Sequence, residues 1–184
     1  MTQLLLFPGA GSSSTHSSLL AIESAVAPMP CVRADFAYRK AGRKAPDRAP
    51  VLVQAVREAA APMLAADKNL LLGGRSMGGR ICSLAVADET DPLPARGLVL
   101  LCYPLHPPGK PDSLRVEHFP RLQVPCLFIS GTRDAFGSPS EFEQWTPTIG
   151  GSVTHHWLEG KGHDLKGCDA VIATTVAEWI AALK

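Results

Sequence analysis

Six short apolar runs recur along the chain, each followed by a stretch with helical spacing. This alternation constrains the fold more than any other feature. The runs are Gln3–Phe7, Cys31–Phe36, Asn69–Gly73, Gly97–Tyr103, Cys126–Ser130 and Ser152–Leu158. Most are nearly continuous in Leu, Val, Ile and Phe, as strands buried on both faces are. Between them, Ser17–Ala27 carries Leu19, Leu20, Ile22 and Val26 at helical spacing, with serines to cap its start. Pro50–Ala66 carries Val51, Leu52, Val53, Val56 and Leu64, with Pro50 suited to a first turn and Pro62 predicting a kink or an early stop. Ser76–Ala87 and Asp169–Leu183 read as helices, and Ser138–Trp145 as a shorter one.

Strands alternating with helices predict an α/β fold, a mostly parallel six-stranded sheet with helices on both faces. Right-handed crossovers give the strand order 2-1-3-4-5-6. In such sheets ligands bind at the carboxyl ends of the strands, near the point where the order reverses. The loops there are Pro8–His16, Gly73–Gly79, Tyr103–Pro111, Gly131–Gly137 and Glu159–Gly167.

At 184 residues the chain is expected to form one domain over residues 1–184, and 46% hydrophobic content supplies a sizeable core. Eighteen basic and seventeen acidic side chains nearly cancel, to a formal charge of +1. That balance argues against nucleic acid or an anionic membrane as a partner and leaves a small-molecule substrate. The apolar run Leu4-Leu5-Leu6-Phe7, ended by Pro8, is too short to span a bilayer and lacks the basic leader of a signal peptide. Cys31, Cys82, Cys102, Cys126 and Cys168 are odd in number and form no CxxC, so neither zinc nor a disulfide framework is expected. A reducing, cytoplasmic setting fits these thiols.

The strongest chemical signal is Gly74-Arg75-Ser76-Met77-Gly78, a G-x-S-x-G between Asn69-Leu70-Leu71-Leu72 and the apolar helix Ile81–Val86. Strand, sharp turn, helix is the context of a nucleophile elbow. The serine must occupy a strained turn, so positions two residues away on either side must be small, and Gly74 and Gly78 meet that need. The helix starting there aims its amides and positive dipole end at the reacting centre.

A serine hydroxyl needs a base, and the base an orienting acid. His163 follows the last strand and Asp134 follows the fifth, which puts both at the same sheet edge as Ser76. The order Ser76, Asp134, His163 is the one this type of scaffold uses. Other groups fit less well. His155 and His156 lie inside a strand, while His16, His106 and His118 precede the acid. Asp164 adjoins His163, and Asp91 and Asp112 stand in poorer places. The backbone N–H of Met77 is one expected oxyanion donor. The second belongs to the loop Pro8-Gly9-Ala10-Gly11, where Ala10 is chosen to within one residue.

With these segments in place the chain resembles a small α/β-hydrolase of the dienelactone-hydrolase-like kind. More closely, it resembles predicted hydrolases related to a testis-expressed protein and to a chromatin-complex subunit. The resemblance covers nearly the whole chain. It rests on Phe7-Pro8-Gly9-Ala10-Gly11, Arg33–Tyr38, Gly73–Arg80, Tyr103-Pro104-Leu105-His106-Pro107-Pro108-Gly109, Gly131–Gly137 and Gly162-His163. It implies a minimal α/β-hydrolase fold with Ser76 as nucleophile, Asp134 as acid and His163 as base. The glycine loop opens with Pro8 where the family usually has histidine. Some members of the group serve as assembly subunits.

The expected activity is therefore hydrolysis of a small ester, thioester or lactone through an acyl-enzyme, with no cofactor. One alternative is a catalytically idle interaction protein on the same fold. Another is a dinucleotide-binding module, suggested by Gly9-x-Gly11 and by Asp35 at the end of the second strand, although Ser14 occupies the third glycine position. The basic run Arg39, Lys40, Arg43, Lys44 and Arg48 reads first as a solvated loop, and second as an entrance favouring anionic substrates. Only 22 residues, Pro104–Pro125, join the fourth and fifth strands. Their five prolines before Val124 leave room for one short helix around Ser113–His118, so no cap domain is expected and the site should be open.

Overall fold

The computed structural model describes residues 1–183. Six strands, β1 (Gln3–Phe7), β2 (Cys31–Arg33), β3 (Leu70–Arg75), β4 (Gly97–Leu101), β5 (Cys126–Gly131) and β6 (Val153–Leu158), form one sheet. Its order is β2-β1-β3-β4-β5-β6, with every pairing parallel. Six helices accompany it: α1 (Ser17–Val26), α2 (Ala37–Lys40), α3 (Ala49–Ala66), α4 (Met77–Val86), α5 (Pro139–Trp145) and α6 (Asp169–Ala182).

Alternation along the strands splits the core in two. Leu5, Phe7, Leu70, Leu72, Leu98, Leu100 and Phe128 pack with α3, α4 and α5 on one face. Leu4, Leu6, Leu71, Val99, Leu101, Leu127 and Ile129 pack with α1 and α6 on the other. The central strands are buried at every position, which is why the sequence shows runs rather than alternation. No described helix is long and apolar enough to cross a membrane. All five cysteines are free thiols.

Two local expectations are corrected, and of the two readings of Pro62 the early stop does not occur. β2 stops at Arg33 instead of reaching Phe36, because the Ala34 N–H makes the last bond to Leu6 O and the chain then turns. The turn stacks Phe36 on Phe7 at a centroid distance of 4.7 Å. α3 runs through Pro62 to Ala66, since Pro62 is exposed and the carbonyl it leaves unbonded, on Glu58, belongs to an exposed residue within reach of water. Ser113–His118 is not helical. The Arg115 N–H donates to Leu105 O at 2.8 Å, and its carbonyl accepts from the Tyr103 hydroxyl at 3.0 Å, so neither is left for a helical turn. A short 3₁₀ turn follows instead, at Phe119–Arg121.

His118 stitches that connection to α4. Its Nε2 lies 2.8 Å from Ser83 Oγ and 3.4 Å from the Tyr103 hydroxyl, and the ring is 2% exposed. Burial, with smaller repulsion from Arg80 and Arg121, pushes its pKa from 6.5 down to about 4. The unfolded chain therefore binds a proton that the folded one refuses between those values. Stability present above pH 6.5 is lost as pH falls toward 4, by at most ~3 kcal/mol from this group. Urea titrations at pH 7 and pH 4.5 are expected to show that loss, and His118→Gln to reduce it.

Candidate active site

β3 delivers Ser76 at the carboxyl edge of the sheet, and α4 begins at the next residue. The Ser76 N–H is tied to Leu101 O at 2.7 Å, and its carbonyl receives the Arg80 N–H at 3.1 Å. Between these anchors Ser76 takes φ 50° and ψ −116°, a costly backbone state for a residue with a Cβ. The turn is possible because the flanking glycines let β1 come close. A Cβ on Gly78 would stand 2.6 Å from Pro8 O and closer still to Phe7 O, and one on Gly74 would also collide with Phe7 O.

Asp134 and His163 come from neighbouring loops. β5 and β6 are adjacent and parallel, so their carboxyl ends emerge side by side. Bonds from Thr132 N–H to Leu158 O (3.1 Å), Arg133 N–H to Lys161 O (2.9 Å) and Gly160 N–H to Thr132 Oγ1 (2.9 Å) lock the two loops together. His163 Nδ1 lies 2.8 Å from Asp134 Oδ2 and 3.0 Å from Oδ1, and its Nε2 lies 2.8 Å from Ser76 Oγ. A carboxylate only accepts, so Nδ1 carries the hydrogen, and Nε2 of the neutral ring is left to accept from the serine hydroxyl. The Asp134 side chain is 2% exposed, and its Oδ1 also accepts the Phe136 N–H at 2.9 Å. Phe136 stacks on the imidazole at 4.0 Å, and Arg75 Nη2 donates to His163 O at 2.9 Å.

The N–H groups of Met77 and Ala10 have no acceptor among the described residues, and both residues line the cavity above Ser76. That cavity, of about 580 Å³, is bounded by the loop after β1, the start of α3, α4, Pro104, Arg115, Phe136 and His163. The structure thus brings all five sequence-predicted residues, Ser76, Asp134, His163, Met77 and Ala10, to one place.

His16, His106 and His155 have structural partners, as His118 does. His16 caps α1 through Nδ1, accepting the Ser18 N–H at 3.3 Å. His106 Nε2 lies 3.0 Å from Glu141 Oε1. His155 stacks between Phe128 and Trp157, with Nε2 3.1 Å from Thr146 Oγ1. Asp164 is exposed and, among the described residues, accepts only the Lys166 N–H. Asp35 uses both carboxylate oxygens on Ser14, at 2.6 Å to its N–H and 2.7 Å to its hydroxyl, so it braces the loop after β1 rather than facing a ribose.

Sequence reasoning missed Tyr38. Its buried hydroxyl donates to Ala10 O at 2.8 Å and fixes the loop that carries one expected oxyanion donor. Nothing in the spacing of Arg33–Tyr38 signals this, because the partner lies 28 positions away.

The steric account of the turn makes a paired prediction. Gly78→Ala should lower unfolding stability by about 3 kcal/mol, because the colliding atoms are backbone carbonyls that must move. Gly11→Ala, with nothing within 4 Å of its Cβ position, should change stability by less than about 0.5 kcal/mol. Urea midpoints of the two variants check both values.

Comparison with known proteins agrees with this architecture. Residues 1–183 match the model of the alpha/beta hydrolase domain family. Among solved structures, Est1E from Butyrivibrio proteoclasticus superposes with a TM-score of 0.75 at 14% identity, covering 98% of this chain and 87% of that one. An alpha-beta serine hydrolase homologue from Coxiella burnetii gives 0.73 at 15% identity, over 97% and 85% of the two chains. The RedJ thioesterase of the prodiginine pathway in Streptomyces coelicolor gives 0.67 at 18% identity, over 96% and 85%. At these identities the structural likeness speaks to the fold, and the match along residues 1–183 speaks to ancestry: the chain belongs to the alpha/beta hydrolase domain family.

Proposed function

We propose that this protein is a serine hydrolase that cleaves a small ester, thioester or lactone through an acyl-enzyme, with Ser76, His163 and Asp134 as its catalytic triad. The observation that carries the reading is the matched pair of contacts on His163, with Asp134 at Nδ1 and Ser76 at Nε2. That pairing leaves the neutral ring one tautomer, with its free lone pair aimed at the serine.

In the first half-reaction Ser76 Oγ bonds to the acyl carbon while its proton passes to His163 Nε2. The carbonyl electron pair moves onto oxygen, where the Met77 and Ala10 amides receive it. Collapse of the tetrahedral species breaks the bond to the leaving oxygen or sulfur, which departs with the proton from His163. Water then adds to the acyl carbon, giving its proton to His163. The second collapse releases the carboxylic acid and returns the proton to Ser76. Asp134 stays ionised throughout and stabilises the imidazolium. The thioesterase among the similar structures is in keeping with an acyl-transfer role. The alternative of an idle interaction subunit leaves the His163 contacts without a purpose.

A fluorophosphonate probe should label Ser76 covalently without any knowledge of the substrate. Ser76→Ala and His163→Ala are each expected to lower kcat by about 10⁶-fold, and Asp134→Asn by about 10⁴-fold. Unlabelled wild-type protein would overturn the reading.

The site should also favour short acyl chains. Of the segment Pro104–Pro125, only Pro104 and Arg115 line the cavity, so this connection supplies little cover for it. A long acyl chain would lie partly in water and gain little of the ~0.8 kcal/mol, about fourfold in kcat/KM, available for each buried methylene. Across p-nitrophenyl esters from acetate to palmitate, kcat/KM should level off after the first few carbons. An optimum at ten or more carbons would refute the open site.

A further inference from the structure

The cavity above Ser76 holds more positive charge than the acyl-transfer steps use. Its lining includes three arginines, Arg75, Arg80 and Arg115, and one carboxylate, Asp47. Arg75 is engaged with the His163 carbonyl. Asp47 is engaged as well, since its two oxygens accept from Arg43 Nη1 at 2.7 Å and Nη2 at 3.0 Å. That pair also takes Arg43 out of the basic run that the sequence had offered as an anion-selecting entrance.

Arg80 and Arg115 are different. Both are half-buried, and neither forms an ion pair with any described residue. The Nε of Arg80 is buried without a hydrogen-bond partner. Burial, and then the nearby charge of Arg80, push the Arg115 pKa down. Two partly desolvated guanidinium groups of like charge with no counter-ion are unfavourable by themselves, and a bound oxyanion relieves both costs at once.

Their placement is fixed by the backbone. Arg80 stands one turn along α4 from Ser76, and helical side chains lean toward the N-terminus, which here is the serine end. Arg115 is held by the backbone bonds to Leu105 and Tyr103 described above.

We propose that Arg80 and Arg115 form an oxyanion-binding subsite, so that the preferred substrate is an ester or thioester that also carries a carboxylate or phosphate. Ser76, Arg80 and Arg115 line one cavity, so an acyl group on the serine and an anion on the arginines can belong to one short molecule such as a dicarboxylate half-ester. The guanidinium forks grip planar or tetrahedral oxyanions bidentately. The proposal rests on the hydrolase reading of Ser76 for its chemistry, although not for its binding.

The test compares substrates that differ only in charge. Monomethyl glutarate is set against dimethyl glutarate for an anion on the acyl side. S-acetyl-3-mercaptopropionate is set against its methyl ester for an anion on the leaving side. In at least one pair the anionic member is expected to have a kcat/KM at least tenfold higher, and the Arg80→Gln/Arg115→Gln double variant to bring that ratio near one. Glutarate and inorganic phosphate are tried as competitive inhibitors of neutral-ester cleavage, and the stronger tells carboxylate from phosphate. The same two anions are titrated calorimetrically into Ser76→Ala with and without the arginine changes. If the double variant does not fold, the single variants Arg80→Gln and Arg115→Gln serve, each expected to lose part of the preference.

Equal or better use of the neutral esters, with no inhibition by either anion, overturns the subsite and leaves the hydrolase reading intact. Arginine-dependent anion binding with no ester cleavage and no probe labelling supports the subsite and overturns the hydrolase reading instead.

Discussion

The close approach of the end of β1 to the first turn of α4 is the constraint on which the rest of the site depends. The carbonyls of Phe7 and Pro8 fill the space that side chains at Gly74 and Gly78 would need. That contact lets the chain reverse between β3 and α4 with a serine, not a glycine, at φ 50°. A residue in that state is held by its surroundings, here by Leu101 O on one side and the first bond of α4 on the other. The cost is local. The return is an Oγ raised above the sheet edge beside unbonded amide groups, where a helix dipole favours negative charge.

The second dependence is the cross-linking of the loops after β5 and β6. Asp134 and His163 are 29 positions apart, yet parallel neighbouring strands bring their loops together. Backbone bonds between those loops, Phe136 beneath the imidazole and Arg75 on the His163 carbonyl then fix the ring by contacts unrelated to proton transfer. The remaining histidines in the described chain show the contrast. His118 is buried and His155 half-buried, both with pKa values pushed down by desolvation, and each meets a hydroxyl partner that suits a neutral structural ring. None of them lies opposite both a buried carboxylate and a serine.

Charge in the cavity follows from packing rather than from composition. The chain as a whole is nearly neutral. Folding pairs Arg43 with Asp47, Arg57 with Asp88 and Asp91, and Arg33 with Glu23, while Arg80 and Arg115 line the cavity without an ion pair to any described residue. A count of basic residues pointed at the loop of residues 39–48. Of its basic residues only Arg43 has an ion-pair partner among the described residues, but the unpaired arginines that line the cavity lie elsewhere, on α4 and on the connection after β4.

How much was legible beforehand follows the range of the forces involved. Strands buried on both faces must be continuous in apolar residues, and parallel strands need helical crossovers, so the order β2-β1-β3-β4-β5-β6 was readable from runs and spacing. A serine in a strained turn demands small residues at fixed offsets, which made Ser76 readable from Gly74 and Gly78, and the chain order then singled out Asp134 and His163. The places where reading failed are those where a distant partner takes a backbone group or a side chain. Phe36 leaves the strand to stack on Phe7, Arg115 gives both backbone groups to Leu105 and Tyr103, and Tyr38 reaches back to Ala10. By itself the sequence determined the alternation of elements, the tight turn at Ser76 and the sheet edge where the candidate site lies, because each depends on neighbours within a few residues. Only the tertiary structure decided which arginines stay unpaired, what braces the glycine loop and what holds the His163 ring in place, because those contacts join residues that meet only after the sheet has assembled.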